Sequence, residues 1–266
     1  MRPVPFPGIV ASQGISAAAL VSQVQQALVA RGYGPFTTGV FDAAMTSSVM
    51  LFQSQHDDAD RQPLVVDGEV GRHTWAALFG GLPVTPASAP SSFMLQALGV
   101  AGSQVGQVEE PRGSNRGTMV DEYLKAVGVP LQDPNADTRA WCMAFVYWAF
   151  NTASVAIGRG NPLPKTAGVL KHWTKAANVP GSRLITAGEA FADPTLIKPG
   201  IVFILDFGSG LGHTGIVERV MPGGRLATVE GNTNNDGSRT GVGVFRLERR
   251  KLNDPKLVGF VDYTNA

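Results

Sequence analysis

The residues that could do chemistry are one cysteine, Cys142, and three polar residues that follow it. Cys142 is the only cysteine among 266 residues and opens an apolar run from Trp141 to Phe150. Such a run is typical of a helix that is buried on most faces. With Asp137 or Thr138 as the expected N-cap, the thiol would lie in or near the first turn, where free amides and the helix dipole favour a thiolate. A lone cysteine is otherwise often inert packing, so this hypothesis depends on its partners.

The candidate partners fall at the open end of one predicted β-hairpin. With a turn near Pro222-Gly223, antiparallel pairing places His213 opposite Asn232, and Glu230 lies two residues along on the same face. A slip of two residues would instead put His213 beside Glu230. Either register brings an imidazole, a carboxylate and an amide to one end of the sheet.

Together with the thiol, these side chains suit acyl transfer. A free cysteine titrates near ~8.5, so attack at neutral pH benefits from a base and a helix N-terminus. His213 would take the thiol proton and return it to the leaving amine. Glu230 or Asn232 would hold the ring in the right tautomer and stabilise the imidazolium. The backbone N–H of Cys142 would be one oxyanion donor, alongside a second that the sequence does not identify.

Composition argues against several other classes of function. Lys+Arg 22 against Asp+Glu 21 gives a net charge of +1, which indicates no general affinity for nucleic acid or anionic membrane. One cysteine excludes an internal disulfide and a multi-cysteine zinc site. The N-terminus has no apolar core of signal-peptide length, and no apolar run is long enough to span a bilayer. We therefore expect a monomer with no cofactor and no nucleic-acid or membrane partner.

Residues 1–82 are predicted to form a three-helix module. Two patterns of apolar residues at helical spacing are followed by a shorter one after Asp67-Gly68. The segment from Gly39 to Thr46 is echoed by the segment from Gly68 to Thr74, which suggests a weak repeat of a loop and a helix.

The motifs of this module resemble the peptidoglycan-binding domain type 1. They are Phe52-Gln53, Asp67-Gly68 and Thr74-Trp75. The resemblance implies a small three-helix unit of the kind attached to cell-wall hydrolases, with bacterial peptidoglycan as its partner. Because the module is slightly acidic, glycan binding would rest on hydrogen bonds and aromatic stacking more than on charge.

A proline-rich stretch, residues 83–92, is predicted to be an extended, semi-rigid linker. Residues 93–266 then form a second domain. Helical patterns come first, and strand patterns follow from the turn at Pro199-Gly200 onwards. This order predicts an α+β domain with a largely antiparallel sheet.

The motifs of the second domain resemble the CHAP domain, a cysteine, histidine-dependent amidohydrolase/peptidase. They are Trp141-Cys142, Pro199-Gly200, Gly212-His213 and Glu230-Gly231-Asn232. The resemblance covers roughly residues 93–263 and implies a papain-like α+β fold that cleaves amide bonds of peptidoglycan. It implies Cys142 as the nucleophile, His213 as the base and Glu230 as the orienting acid, with Asn232 at a polar fourth position. Ile201 departs from the acidic residue that many relatives have after Pro-Gly, which we expect to affect folding and not chemistry.

Asp133, Asn135 and Asp137 could begin a calcium loop, as in some CHAP domains. The glycine and the late bidentate glutamate of such a loop do not follow, and capping would account for Asp137. We therefore expect no metal. The histidines His56, His73 and His172 have no partner pattern and are expected at the surface or in helix packing.

The resemblances imply a peptidoglycan hydrolase that cuts an amide of the wall peptide, as an N-acetylmuramoyl-L-alanine amidase or an endopeptidase. A phage endolysin is the expected setting. The alternatives are a secreted antibacterial amidase effector and a non-catalytic cell-wall-binding structural protein, which the intact set of cysteine, histidine and glutamate disfavours. Without a signal peptide, such an enzyme would be made in the bacterial host cytoplasm and would act on the cell wall or in the periplasm.

Overall fold

The structure is a computed structural model that describes residues 4–14, 16–58, 63–80, 84–131, 140–221, 224–234 and 241–266. The chain divides into two compact units. One comprises Met1–Pro83 with Met221–Arg225, and the other comprises Val84–Val220 with Leu226–Ala266. Within the described ranges, no helix combines the length and the apolar character needed to cross a bilayer.

The described part of the first unit contains three helices, α1 (Ala18–Val29), α2 (Ala43–Gln55) and α3 (Arg72–Phe79). Their inward faces share one apolar core. Helix α2 begins where the sequence predicts, because the Asp42 carboxylate accepts the Met45 N–H at 2.9 Å and caps the helix. The predicted three-helix module is therefore confirmed.

A buried glutamine joins each loop of this module to the helix before it. Gln53 donates to the Thr74 hydroxyl at 3.0 Å and accepts the Gly68 N–H at 3.0 Å. Gln25 accepts the Gly39 N–H at 2.9 Å in the same way. Both glycines have left-handed backbones, with φ of 76° at Gly68 and 73° at Gly39. The weak repeat in the sequence is thus a repeat of structure: a helix with a buried glutamine, a left-handed glycine and the next helix.

The second unit has helices first and most of its strands after them. The helices are α4 (Ser92–Gly102), α5 (Thr118–Val127), α6 (Cys142–Ala156), α7 (Val169–Ala176) and α8 (Ala187–Ala192), with a 3-10 turn at Pro194–Leu196. The strands are β1 (Arg183–Thr186), β2 (Val202–Gly208), β3 (Leu211–Val220), β4 (Arg225–Thr233), β5 (Gly243–Lys251) and β6 (Leu257–Asp262). They form one sheet in the order β1-β6-β2-β3-β4-β5. Strand β1 pairs with β6, β6 with β2, β2 with β3 and β3 with β4, and each of these pairs is antiparallel. The predicted α+β class is confirmed.

Strand β1 and helix α8 were not predicted from the sequence. The signal for α8 was nevertheless present, because Thr186 and Glu189 form a capping box in which each side chain bonds the other's backbone N–H. Strand β1 is only four residues long and pairs with β6, far along the chain. Such a short edge strand is defined by its partner more than by its own pattern.

Residues 84–91, within the predicted linker, belong to the second unit. Val84 packs against the core of that unit. The Ala87 N–H donates to the Thr195 carbonyl at 2.8 Å, and the Ser91 hydroxyl caps α4. The chain is therefore held by this unit from Val84 onwards.

Helix α6 lies at the centre of the second unit. It packs against α4, α5 and β3, and most of its residues from Cys142 to Phe150 are completely buried. This confirms the prediction of a helix buried on most faces and fixes the position of its first residue.

The three histidines without a partner pattern lie in packing or at the surface, as expected. His172 is fully buried, with Nε2 3.0 Å from the Tyr263 hydroxyl, and burial lowers its pKa to about 4. His56 stacks on the Phe52 ring at 4.0 Å. The His73 side chain is half exposed.

Candidate active site

The thiol belongs to the first residue of α6. Trp141 is the N-cap, with φ of −110° and ψ of 11°, and no side chain caps the helix. The prediction of Asp137 or Thr138 as N-cap is therefore wrong, because the helix begins later than expected; both residues lie outside the described ranges. Without a capping side chain, the first amides of α6 remain available to a charge that develops beside Cys142.

His213 and Glu230 meet across the hairpin formed by β3 and β4. The register pairs Ile216 with Val229, which is the predicted register without the two-residue slip. Nε2 of His213 lies 2.7 Å from Oε2 of Glu230. The two side chains are diagonal neighbours on one face, as this register requires.

Cys142 lies beside His213 and acts with Glu230 to raise the pKa of the ring. Because Nε2 is already engaged by Glu230, Nδ1 is the ring nitrogen left for the sulfur. Cys142 is 3% exposed and His213 is 7% exposed, so both groups are recessed. A sulfur, an imidazole and a carboxylate in this order are what general-base activation of a thiol requires.

Glu230 is fully buried, and both of its oxygens have partners. Arg250 donates from Nη2 to Oε2 at 2.6 Å and from Nε to Oε1 at 2.9 Å. The Thr228 hydroxyl donates to Oε1 at 2.7 Å. Sequence reasoning missed both partners, since Arg250 stands in the basic run Arg249-Arg250-Lys251, which reads as exposed charge.

The hydrogen bonds of the site reverse the effect of burial on both ionisable partners. Burial opposes the charge of His213, but its hydrogen bonds with Cys142 and Glu230 outweigh burial and raise the pKa of His213 to about 9. Burial also acts to raise the pKa of Glu230, and the hydrogen bonds from His213 and Arg250 hold that pKa well below its ordinary range. The site therefore favours an imidazolium beside a carboxylate, which can stabilise a thiolate and then donate a proton.

Asn232 lies near the end of β4. Its φ of 53° is left-handed, so the chain leaves the regular strand path just after Glu230. Among the hydrogen bonds of the described residues, none joins the Asn232 side chain to His213. Of these two side chains, Glu230 is the one that bonds to the imidazole.

A second buried carboxylate fixes the residue before the thiol. Trp141 Nε1 donates to Oε1 of Glu109 at 2.9 Å, and Glu109 is 3% exposed. The Glu109 N–H donates to the Val242 carbonyl at 2.8 Å. The sequence Glu109-Glu110-Pro111 reads as a solvated loop, and only the fold shows that its first carboxylate is buried beside α6.

The described ranges contain no group of three or more side chains that could hold a metal ion. The calcium candidates Asp133, Asn135 and Asp137 lie outside those ranges. Ile201, which departs from the CHAP pattern, is fully buried in the core of the second unit, where it contributes to folding.

Comparison with protein families finds two matches in this chain. The model described as "Putative peptidoglycan binding domain" matches residues 18–78, which span α1 to α3. The model described as "CHAP domain" matches residues 134–232, a range that includes Cys142, His213 and Glu230. Neither the curated proteins nor the solved structures provide a match. The chain therefore carries a peptidoglycan-binding domain followed by a CHAP domain, a combination that supports a peptidoglycan hydrolase.

Proposed function

We propose that the CHAP domain cleaves an amide bond of the wall peptide by a thiol mechanism. Cys142 is the nucleophile, His213 is the general base and acid, and Glu230 holds the ring. The observation that carries this proposal is the His213–Glu230 hydrogen bond of 2.7 Å beside a cysteine that is the first residue of a helix and that acts on the pKa of the same imidazole.

In the first half of the reaction, the thiol proton resides on His213 and the sulfur of Cys142 attacks the amide carbon. The resulting oxyanion accepts the backbone N–H of Cys142. The C–N bond then breaks, the imidazolium donates its proton to the departing nitrogen, and the acyl group remains as a thioester. In the second half, His213 takes a proton from water, hydroxide adds to the thioester, and the carboxylic product leaves with return of the thiol.

Arg250 acts on this reaction through Glu230. Its two hydrogen bonds hold the carboxylate in place and leave an oxygen turned to the imidazole. A carboxylate fixed in this way keeps the ring oriented and stabilises its positive charge. Arg250 is therefore a positioning residue.

We further propose that the first domain holds the enzyme on the wall, in the manner of a phage endolysin made in the bacterial cytoplasm. A binder joined to a catalytic domain raises the local concentration of that domain at an insoluble substrate without adding contacts at the scissile bond. The match of residues 18–78 to a peptidoglycan-binding family supports this role.

Mass spectrometry of purified wall digested by the full-length protein tests the function and identifies the bond. Amidase activity would free the lactoyl end of the muramic acid from the peptide, whereas endopeptidase activity would create new amino termini within the peptide. Either result requires the addition of one water for each bond cut. Glycan fragments with unaltered peptides would instead show that the chain cuts sugars, and an unchanged wall would contradict a hydrolase.

The pH dependence of hydrolysis should report the imidazolium. Because the pKa of His213 is raised to about 9, the protonated ring is present below that pH and is lost as pH rises through it. We expect kcat/KM on a soluble wall peptide to fall about tenfold per pH unit above ~9. Alkylation of Cys142 by iodoacetamide, followed over the same range, should not fall, because alkylation needs no proton from the imidazolium. A decline in hydrolysis already complete by pH 7 would contradict this assignment.

A further inference from the structure

A bulge in the sheet aims an aromatic residue at the proposed catalytic imidazole. In the β2–β3 pair, Leu205 lies opposite His213, and Asp206 lies opposite Gly212. The register then shifts, so that Phe207 is an extra residue without a partner on β3. Bulges of this kind redirect a side chain and occur often beside active sites.

The Phe207 ring lies parallel to the His213 ring. The interplanar angle is 10°, and the centroids are 6.5 Å apart. Phe207 is 44% exposed, and Leu211, at the start of β3, is 49% exposed. Single exposed apolar side chains are common on proteins. Phe207, however, places apolar surface beside a buried histidine that the proposed reaction uses.

An ammonium group lies over the same aromatic ring. Nζ of Lys256 is 5.3 Å from the Phe207 centroid, and Lys256 is exposed. Its backbone is fixed on both sides: its N–H donates to Asp254 Oδ1 at 2.9 Å, and its carbonyl accepts the Asp206 N–H at 2.8 Å. Among the ion pairs of the described residues, none involves Lys256.

The two neighbouring carboxylates are both engaged by backbone N–H groups. Asp254 accepts the N–H of Lys256, and Asp206 accepts the N–H of Gly208 at 2.8 Å. Since none of the ion pairs among the described residues uses Lys256, its ammonium can pair with a carboxylate that comes from solvent. The quadrupole of an aromatic ring attracts a cation above its face, and this attraction keeps Nζ of Lys256 close to the Phe207 ring.

We infer that Phe207 and Lys256 form a substrate subsite beside His213 that binds a small apolar side chain and a free carboxylate of the wall peptide. The inference rests on the proposed function and specifies the substrate. A methyl group packs on the Phe207 ring, and a carboxylate pairs with Lys256. Because an extended chain advances about 3.3–3.6 Å per residue, this carboxylate lies within about three residues of the amide that is cut.

The test uses two soluble peptides that span the scissile amide and differ in one group. In one peptide the acidic residue beside that amide carries a free carboxylate, and in the other it carries a primary amide. The full-length protein is compared with Lys256→Gln, Phe207→Ala and Lys125→Gln. Lys125 is an exposed lysine on α5 that pairs with Glu122, so its replacement is a control for the loss of one positive charge.

We expect Lys256→Gln to raise KM for the free acid by about threefold to fivefold with kcat unchanged, and to leave KM for the amidated peptide unaffected. Phe207→Ala should raise KM for both peptides, and Lys125→Gln should behave as the unaltered protein. If Lys256→Gln weakened both peptides equally, or weakened neither, the subsite would be overturned.

A binding measurement separates this subsite from the proposed chemistry. Calorimetric titration of the Cys142→Ala protein with both peptides requires no turnover. Preference for the free acid that disappears in Cys142→Ala/Lys256→Gln supports the subsite even if the unaltered protein cuts neither peptide, a result that would reject the hydrolase alone. Equal affinity for both peptides in the Cys142→Ala protein would reject the subsite, whatever the activity.

Discussion

Cys142→Ala protein is expected to lose hydrolysis of purified cell wall and to keep its binding to that wall. The sulfur is the group that bonds to the substrate, so its removal ends covalent catalysis, and the rate should fall by at least about 10⁴-fold. The hydrolysis rate of Cys142→Ser protein should fall nearly as far, because a hydroxyl in this position is far harder to ionise than a thiol. Turbidity loss of a wall suspension measures the first effect, and co-sedimentation measures the second.

The fold should tolerate this change. Alanine is the strongest helix former and adds no atom at the start of α6. Met143→Leu is a matched control, because Met143 is completely buried next to the thiol and leucine has nearly the same volume. We expect this variant to retain activity. Lysis by Cys142→Ala protein would reject the thiol mechanism, and loss of both lysis and binding would show that the chain has unfolded.

The parts of the fold that could be predicted from sequence are those set by local patterns. Asp42 caps α2 as its position before an apolar period indicates. Gly128 ends α5 in a left-handed conformation with φ of 81°. The hairpin between β3 and β4 has the register that a short turn imposes. That register places His213 and Glu230 on one face of the sheet.

The parts that could not be predicted depend on contacts between distant segments. Arg250 reaches Glu230 because β5 lies next to β4 in the sheet, and nothing within Arg249-Arg250-Lys251 distinguishes the middle residue. Phe207 owes its direction to a bulge, which a period-two pattern cannot show. Asn232 fits the family motif by spacing, and its left-handed backbone, with φ of 53°, is a departure from the strand that the spacing does not show.

Glu230→Gln protein is expected to lose about 10³-fold in kcat/KM, the second-largest effect in this site. Glutamine keeps the shape of the side chain and removes its charge. The imidazolium then loses the carboxylate that helps to raise the pKa of His213. The fall in activity at high pH should therefore begin below ~9, and pH profiles of the two proteins on one soluble peptide measure that shift.

The same substitution should destabilise the second unit, since it leaves the guanidinium of Arg250 without its carboxylate. The Arg250 side chain is 17% exposed, so we expect a loss of about 2–3 kcal/mol, below the cost of breaking a fully buried pair. Denaturant unfolding followed by tryptophan fluorescence can measure it, because Trp141, Trp148 and Trp173 all lie in this unit.

A double replacement separates stability from catalysis at this pair. Arg250→Met alone leaves a buried carboxylate with fewer partners and should also destabilise the fold. Glu230→Gln/Arg250→Met removes both charges, so its loss of stability should be smaller than the two single losses added together. Its activity should stay as low as that of Glu230→Gln, because the imidazolium still lacks a carboxylate. If activity returned together with stability, Glu230 would serve only to hold the fold, and the ring would need another group to orient it.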